Sequence, residues 1–283
     1  MIIIAESGAT KTDWVGIGKD GTEVSARTEG MNVATMSADK VLGAFHEALP
    51  HFSGRKVTAI HFYGAGVIDG ARNEIQDTLR KEMLEAFPGA EIEFASDLLD
   101  AARALLGHEP GIATIMGTGS NSCFYDGRAI FPKVRSGGFI LGDEGGAARL
   151  GLMFISDFIK GLVPAAPAED FASKYDSDYM TIVREVYKNG APARYLGSFA
   201  PWILSWYGKD DYMSALPEKN FRDFIERALI KYDYRNYPVG AVGGFVWANR
   251  DIFAAVAKEY GITLSRILPA PMEGLIEYHK NEL

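Results

Sequence analysis

Short apolar runs alternate with glycine-rich and polar turns at the start of the chain. They predict three strands at Ile2–Ala5, Asp13–Gly18 and Thr22–Ala26, with the polar turn Glu6–Thr12 between the first two. Helical apolar stripes and further short apolar runs then alternate. These predict helix, strand, helix, strand and helix at Ser37–His51, Val57–Tyr63, Ala71–Ala86, Glu91–Ala95 and Leu98–Leu106. The order of elements is therefore βββαβαβα.

The second half of the chain repeats this order around a helical insert. Three strands are predicted at Ile112–Met116, Ser122–Tyr125 and Arg128–Val134, and a helix follows at about Ala147–Lys160. A helical, aromatic-rich stretch comes next. The last predicted elements are a strand, a helix, a strand and a helix at Val239–Val246, Asn249–Tyr260, Thr263–Leu268 and Met272–Lys280.

Repetition of a whole supersecondary unit predicts two similar α/β lobes with a cleft between them, a common place for ligand sites. We expect the N-terminal lobe to span residues 1–108 and to be completed by the C-terminal helix at 270–283. The C-terminal lobe is expected to span 109–269, with the helical insert at about 165–235.

Composition narrows the range of functions. The 283 residues carry a net charge of −8, which argues against nucleic acid or an anionic membrane as the main partner. The single cysteine, Cys123, excludes intrachain disulfides and all-cysteine metal sites within one chain. The start lacks a basic leader and no apolar run approaches the length of a membrane span, so we expect a cytoplasmic protein. The five histidines show no metal-ligand spacing and are expected to be structural or exposed.

Two hairpin tips carry the main chemical signal. Gly8-Ala9-Thr10-Lys11-Thr12 and Gly117-Thr118-Gly119-Ser120-Asn121 each join two predicted strands and expose backbone N–H groups and hydroxyls with little side-chain bulk. The first is not a Walker A loop, because Thr10 and not glycine stands directly before Lys11, and a strand and not a helix follows. Either tip alone is compatible with an ordinary turn. The pair indicates a nucleotide-dependent phosphoryl-transfer enzyme, since such tips suit a polyphosphate.

Carboxylates follow two of the predicted strands. Asp97 comes just after the strand Glu91–Ala95 and is either an N-cap or a proton acceptor for a substrate hydroxyl, with Asp100 as the competing candidate. The segment Gly142-Asp143-Glu144-Gly145-Gly146 suits a helix start, but its carboxylates could also hold a polyhydroxylated substrate or help to place a metal.

A glycine pair follows a late strand. Val242-Gly243-Gly244 is compatible with close approach of a purine and equally with a tight strand-to-helix turn.

Taken together, these motifs resemble the N-acetylglucosamine kinase family of the actin/hexokinase-like superfamily, nearly end to end. The resemblance implies two ribonuclease H-like lobes and ATP-dependent, Mg²⁺-dependent phosphorylation of the C6 hydroxyl of an N-acetylated amino sugar. It makes Asp97 the catalytic base and places Glu6 near the metal, through a bound water. The implied sugar contacts are Asn32, Thr118, Gly119, Asn121 and Asp143. The implied ATP contacts are Gly8, Ala9, Thr10, Lys11, Thr12, Gly117, Gly243 and Gly244.

The chain departs from the family pattern at a few positions. Glu6 stands where aspartate is usual, Gly137-Gly138 where Trp-Gly is usual, and Gly146 and Gly244 where serine is common. Two alternatives stay open: an N-acetylmuramic acid kinase, with Arg135 as the cation for the lactyl carboxylate, and a catalytically weak sugar- or nucleotide-binding protein. The resemblance implies a small-molecule sugar as partner, in amino-sugar salvage or cell-wall recycling. A homodimer through the helical insert is also expected.

Overall fold

A computed structural model describes residues 1–8, 11–68, 71 and 73–283. The chain forms two compact units, each with its own hydrophobic core. Unit 1 consists of Met1–Glu109, Gly127–Ala129 and Pro271–Leu283, and unit 2 consists of Pro110–Asp126 and Ile130–Ala270.

Unit 1 is a five-stranded mixed sheet with helices. Its elements are β1 Ile2–Ser7, β2 Lys11–Ile17, β3 Glu23–Glu29, α1 Ala38–Phe52, β4 Ala59–Gly64, α2 Glu74–Ala86, β5 Glu91–Ser96, α3 Asp97–Leu106 and the C-terminal α13 Met272–His279, followed by a 3₁₀ turn, Lys280–Glu282. The strand order is β3-β2-β1-β4-β5, in which β1 is antiparallel to β2 and parallel to β4.

The central position of β1 explains its apolar sequence. Ile2–Ala5 are fully buried, as expected for a strand that lies in the middle of a sheet and is covered on both faces. The helix α1 buries one stripe, including Val41 and Phe45, and exposes the opposite face. Trp14 of β2 packs against Phe45, and these contacts fix α1 on the sheet that carries the candidate site.

Unit 2 repeats the architecture. Its elements are β6 Gly111–Met116, β7 Ser120–Tyr125, β8 Ile130–Phe131, α4 Gly138–Leu141, α5 Ala147–Phe158, α6 Ala165–Lys174, α7 Tyr179–Tyr187, α8 Pro192–Gly197, α9 Ala200–Ser205, α10 Asp211–Arg227, a 3₁₀ turn Leu229–Lys231, β9 Val239–Val242, α11 Gly244–Ala248, α12 Arg250–Glu259 and β10 Leu264–Leu268. The strand order, β8-β7-β6-β9-β10, corresponds strand for strand to that of unit 1, which confirms the predicted duplication.

Several predicted element bounds were wrong for local reasons. The predicted strand Arg128–Val134 shrinks to β8, because the following residue, Pro132, has no N–H to donate to a ladder. β9 ends at Val242, four residues earlier than predicted, because Gly243 adopts a φ of +135° and a helix begins directly after it.

The start of α2 was also predicted too early. This helix begins at Glu74, not Ala71, because the Asn73 side chain caps it by accepting hydrogen bonds from the N–H groups of Ile75 and Gln76 at 2.9 and 3.1 Å. Across the described part of the chain, no helix is both long and apolar enough to cross a bilayer.

Candidate functional site

The carboxyl ends of β1 and β5 bring acidic residues to one edge of the sheet of unit 1. Glu6 lies near the end of β1, and Asp97 is the first residue of α3, directly after β5. Ser96 caps α3, because its Oγ accepts from the Leu99 N–H at 3.2 Å. The N-cap interpretation of Asp97 was therefore wrong. Asp97 is exposed, whereas Asp100, one turn later, is only 3% exposed.

Burial and mutual repulsion disturb the protonation of this acidic group. Burial raises the pKa of Asp100 well above its usual value, and the charges of Glu6 and Asp97 raise it further. Burial also raises the pKa of Glu6, assisted by Asp13 directly across the ladder. The buried Asp100 Oδ1 has no hydrogen-bond partner among the residues that the structure describes. Such a set of oxygen donors fits a hard divalent cation such as Mg²⁺.

The first hairpin tip is closed by its own backbone. The Gly8 N–H donates to the Lys11 carbonyl at 2.9 Å. The Lys11 ammonium binds the Asp13 carboxylate at 2.5 Å. Burial alone would raise the pKa of Asp13, but hydrogen bonds from Lys11 and Arg27 lower it. The predicted phosphate contacts Ala9 and Thr10 lie outside the described residues.

Thr12 is committed to the fold through its side chain. Its hydroxyl is fully buried, lies 2.8 Å from Ser7 Oγ and donates to the Glu29 carbonyl at 3.0 Å. Any contact from Thr12 to a phosphate would therefore come from its backbone.

The loop after β3 positions Asn32. Ser7 Oγ accepts from the Met31 N–H at 2.9 Å, so the first tip and this loop are held together. Asn32 Oδ1 accepts from the Ala34 N–H at 3.0 Å. A methyl group at Gly66 would lie 2.5 Å from that oxygen, so this glycine, with a φ of +86°, leaves room for the amide.

The second tip caps helix α5 in unit 2. The carbonyl groups of Gly117 and Thr118 accept from the N–H groups of Ala147 and Ala148, both at 2.9 Å. A side chain at Gly146 would lie 2.8 Å from the Thr118 carbonyl oxygen, which explains glycine at this position. These two donors of α5 are satisfied by the tip and are not available to an anion.

Asp143 is held in a strained position against the second tip. Its φ of +55° is the only positive value for a non-glycine residue in the part of the chain that the structure describes. Its carboxylate accepts from the Ser120 N–H at 3.3 Å, and a methyl group at Gly119 would lie 2.6 Å from it. Burial raises the pKa of Asp143, although the hydrogen bond from the Ser120 N–H acts to lower it, and the charge of Glu144 raises it further. Backbone strain of this kind is common at functional sites.

Asn220, which the sequence did not single out, holds this loop in place. Its side chain is completely buried in α10. Oδ1 accepts from the Gly145 N–H at 2.9 Å and Nδ2 donates to the Gly146 carbonyl at 3.0 Å. The available signal was one polar residue on the buried face of an amphipathic helix, and its partners are more than 70 residues away in the chain.

A pocket of about 860 Å³ lies next to the second tip, within unit 2. Its lining is mostly apolar and consists of Gly117, Thr118, Ala147, Gly197, Ala200, Pro201, Leu204, Ser205, Tyr207, Gly244, Phe245, Ala248, Asn249 and Ile252.

The glycines beside this pocket fall into two kinds. Apart from the adjacent residues and the backbone of the same helix, no described atom lies within 4 Å of where a Cβ would stand on Gly117 or Gly244, and both border the pocket. Gly243 is different, because its φ of +135° and its contact with the Met116 carbonyl demand glycine. The structure therefore explains Gly243 as the strand-to-helix turn and leaves Gly244 open toward the pocket.

Not every predicted residue of unit 2 reaches this pocket. Asn121 instead lines a separate cavity of about 30 Å³ with Arg135 and Glu144. Its Oδ1 accepts from the Ser122 N–H at 2.9 Å. Gly119 and Asp143 contact each other but do not line the larger pocket.

The chain is similar to a large number of solved structures, three of which are described here. A protein of Porphyromonas gingivalis, whose assignment as an N-acetylglucosamine kinase is itself provisional, shares 36% sequence identity over 99% of each chain, with a TM-score of 0.87. A Chromobacterium violaceum protein with the same provisional assignment shares 20% identity over 98% of each chain, with a TM-score of 0.75. A ROK family protein of Streptococcus pneumoniae, solved with sucrose, shares 14% identity over 99% of this chain and 98% of its own, with a TM-score of 0.50. The last two show the fold alone.

The two sheets of corresponding strand order define the actin/hexokinase-like class of phosphotransferases and ATPases. No protein-family model and no curated protein matches the chain. On the strength of the 36% identity over nearly the whole length, the chain belongs to the N-acetylglucosamine kinase family, a family of sugar kinases.

Proposed function

We propose that the protein transfers the γ-phosphoryl group of ATP to the C6 hydroxyl of N-acetylglucosamine. The observation that carries the proposal is the pocket of unit 2, in which Gly117 and Gly244 leave open space that no packing contact explains. Membership of the family supplies the reaction class.

The pocket suits an adenosine group. Its volume of about 860 Å³ lies within the usual range for small-molecule sites, and Leu204, Tyr207 and Phe245 give it apolar walls. A Cβ on Gly117 or Gly244 would occupy space that a close-lying nucleotide needs. The pairing of apolar walls with open glycine backbone is what a flat base and its ribose require.

Unit 1 supplies the acid–base and metal groups. The exposed Asp97 is the proposed general base, and the buried Asp100 is less suited because a substrate hydroxyl has no access to it. Glu6 would hold Mg²⁺ through a water, with Lys11 and the Gly8–Thr12 backbone near the triphosphate. When bound, Mg²⁺ neutralises charge on the phosphate oxygens.

The chain's own part in the reaction is to position groups and to move one proton. Asp97 orients the C6 hydroxyl and accepts its proton as the sugar oxygen bonds to the γ-phosphorus. The bond between that phosphorus and the β–γ bridging oxygen breaks, and ADP leaves with the electron pair. Little covalent chemistry is required of the protein, so alignment dominates the rate.

The proposed sugar contacts lie in loops, except Asn121, which lies in β7. Asp143 is fixed by Ser120 and, through its loop, by Asn220, and its carboxylate would accept hydrogen bonds from sugar hydroxyls. The other proposed sugar contacts are Asn32, Thr118, Gly119 and Asn121. Among the proposed ATP contacts, Gly243 would act only by shaping the turn.

One observation favours a second candidate substrate, N-acetylmuramic acid. Arg135 is exposed and lines the same small cavity as Asn121, a proposed sugar contact. It could pair with the lactyl carboxylate that distinguishes this sugar. Arg135→Ala should then abolish turnover of N-acetylmuramic acid and leave turnover of N-acetylglucosamine nearly unchanged.

The position of the transferred phosphate tests the proposal. Wild-type protein is incubated with Mg²⁺-ATP and N-acetylglucosamine, and the product is examined by ³¹P and ¹³C NMR. The proposal expects a phosphomonoester coupled to C6 and no product from the 6-deoxy analogue. A phosphate on another carbon, or no product with any N-acetylated sugar, contradicts it.

A further inference from the structure

Two histidines and a glutamate meet at the C-terminal end of unit 1. His61 belongs to β4, His279 ends α13 and Glu282 lies in the following 3₁₀ turn. The imidazole rings stack with their centroids 3.8 Å apart. One ligand atom from each of the three residues lies within 4.8 Å of one from each of the others.

One nitrogen of each ring lies close to the Glu282 carboxylate. His61 Nε2 lies 3.0 Å from Glu282 Oε2, and His279 Nδ1 lies 2.9 Å from Oε1. His61 Nε2 is buried, yet it makes no well-directed hydrogen bond to any residue that the structure describes. A buried imidazole nitrogen that lies beside a carboxylate without a hydrogen bond is placed as a metal ligand would be.

The opposite nitrogen of each ring is already anchored. His61 Nδ1 lies 2.8 Å from Glu93, which Arg103 holds through two hydrogen bonds of 2.8 and 2.9 Å. His279 Nε2 lies 2.7 Å from the Tyr63 hydroxyl. Metal-binding histidines almost always have such an outer partner, which fixes the ring and its tautomer.

We propose that His61, His279 and Glu282 bind a divalent transition metal ion, Zn²⁺ foremost, that ties the C-terminal turn to β4. Two imidazole nitrogens and one carboxylate form a ligand set typical of Zn²⁺, with a fourth position left for water. At bond lengths of about 2.0–2.1 Å, tetrahedral ligand atoms lie about 3.3 Å apart. The present distances from the histidine nitrogens to the two Glu282 oxygens, 2.9 Å for His279 and 3.0 Å for His61, are of this order.

The site is distinct from the proposed kinase machinery. None of its residues is a proposed contact of ATP, sugar or Mg²⁺. Its effect is structural, because α13 packs on β1 and α3 and the metal would fix its end to the same sheet. A metal that binds the native state and not the unfolded chain raises the thermal stability of unit 1 by mass action.

The test uses the untagged full chain, stripped with a chelator and dialysed. Zn²⁺ is titrated in competition with a chromophoric chelator, and melting curves are recorded with and without Zn²⁺. We expect one Zn²⁺ per chain and a rise in Tm of about 5–10 °C at a hundredfold excess over Kd. Glu282→Gln should weaken zinc affinity at least about tenfold, since even outer-shell changes cost about 10–100-fold.

The matched control is His108→Gln. His108 has an exposed imidazole that contacts Tyr278 of α13, with 4.4 Å between the ring centroids, but it is not a proposed ligand. This variant should bind Zn²⁺ like the wild type. His61→Gln provides a second ligand variant and should also lose affinity. Equal affinity in the wild type and Glu282→Gln, or no binding and no rise in Tm for the wild type, overturns the proposal.

Discussion

The glycine pair after β9 offers a sharp test of the nucleotide pocket. Gly243 and Gly244 are adjacent, but the structure assigns them different tasks. Replacing each separately with alanine should therefore change stability in opposite directions. Only Gly244→Ala should weaken ATP binding without weakening the fold.

Gly244→Ala adds one methyl group in open space. Gly244 is the first residue of α11, and alanine there should raise the free energy of unfolding by about 0.5 kcal/mol, or Tm by about 1–2 °C. If the nucleotide lies against this backbone, the methyl overpacks the contact at a cost of about 1–3 kcal/mol. KM for ATP should then rise about 5- to 150-fold.

Gly243→Ala forces a side chain into a glycine conformation. The φ of +135° costs about 1–3 kcal/mol for alanine, and the new methyl group would press on the Met116 carbonyl oxygen. We expect the free energy of unfolding to fall by about 3 kcal/mol and Tm to fall by about 6–12 °C.

Both variants are assayed by differential scanning fluorimetry and by ADP release over a range of ATP concentrations. Sugar is kept saturating, so that only the nucleotide dependence is compared. An unchanged KM for ATP in Gly244→Ala would show that this backbone does not border the nucleotide. A lower Tm for Gly244→Ala than for the wild type would refute the packing argument itself.

Asp97→Asn should reduce kcat about 10²–10⁴-fold with sugar affinity largely kept, whereas Asp100→Asn should keep most of its turnover. The reverse pattern in steady-state kinetics would make Asp100 the general base. Because the pKa of Asp100 is raised in the folded state, the wild type loses stability as the pH rises above the ordinary aspartate range. The Tm of Asp100→Asn should therefore exceed that of the wild type by more at pH 8 than at pH 5, and a constant difference would contradict this. Asn220→Asp removes the donor to the buried Gly146 carbonyl, so the free energy of unfolding from chemical denaturation should fall by about 2 kcal/mol and KM for the sugar should rise. Unchanged values would refute the role of Asn220. Thr12→Val should lower the free energy of unfolding by about 1–2 kcal/mol and leave KM for ATP unchanged, whereas Thr12→Ser should resemble the wild type. A raised KM for ATP in Thr12→Val would show that the hydroxyl binds phosphate.

Periodicity predicted the architecture because the repeated order of apolar segments is a property of whole elements. The buried run Ile2–Ala5 could only be a central strand once two further strands and a helix followed it. The element ends were less predictable, because they depend on single residues. Asn73 delays α2 and Gly243 ends β9, and both effects come from local backbone geometry.

The candidate site was predictable where motifs are contiguous and not where contacts are long-range. The tips and the Gly142–Gly146 segment could be found as short patterns, but the clamp by Asn220 joins residues more than 70 positions apart. The histidines show the same limit. His61 and His279 have no ligand spacing in the sequence, yet the sheet and the C-terminal helix bring their rings into a stack.

Coupled ADP release with Mg²⁺-ATP is the most direct test of the central claim. The assay compares no sugar, N-acetylglucosamine, N-acetylmuramic acid and glucose under the same conditions. We predict strong stimulation by N-acetylglucosamine that is lost in Asp97→Asn and retained in Asp100→Asn. ATP binding without stimulation by any of these sugars would contradict it and favour a binding protein in which Glu6 has impaired the metal site.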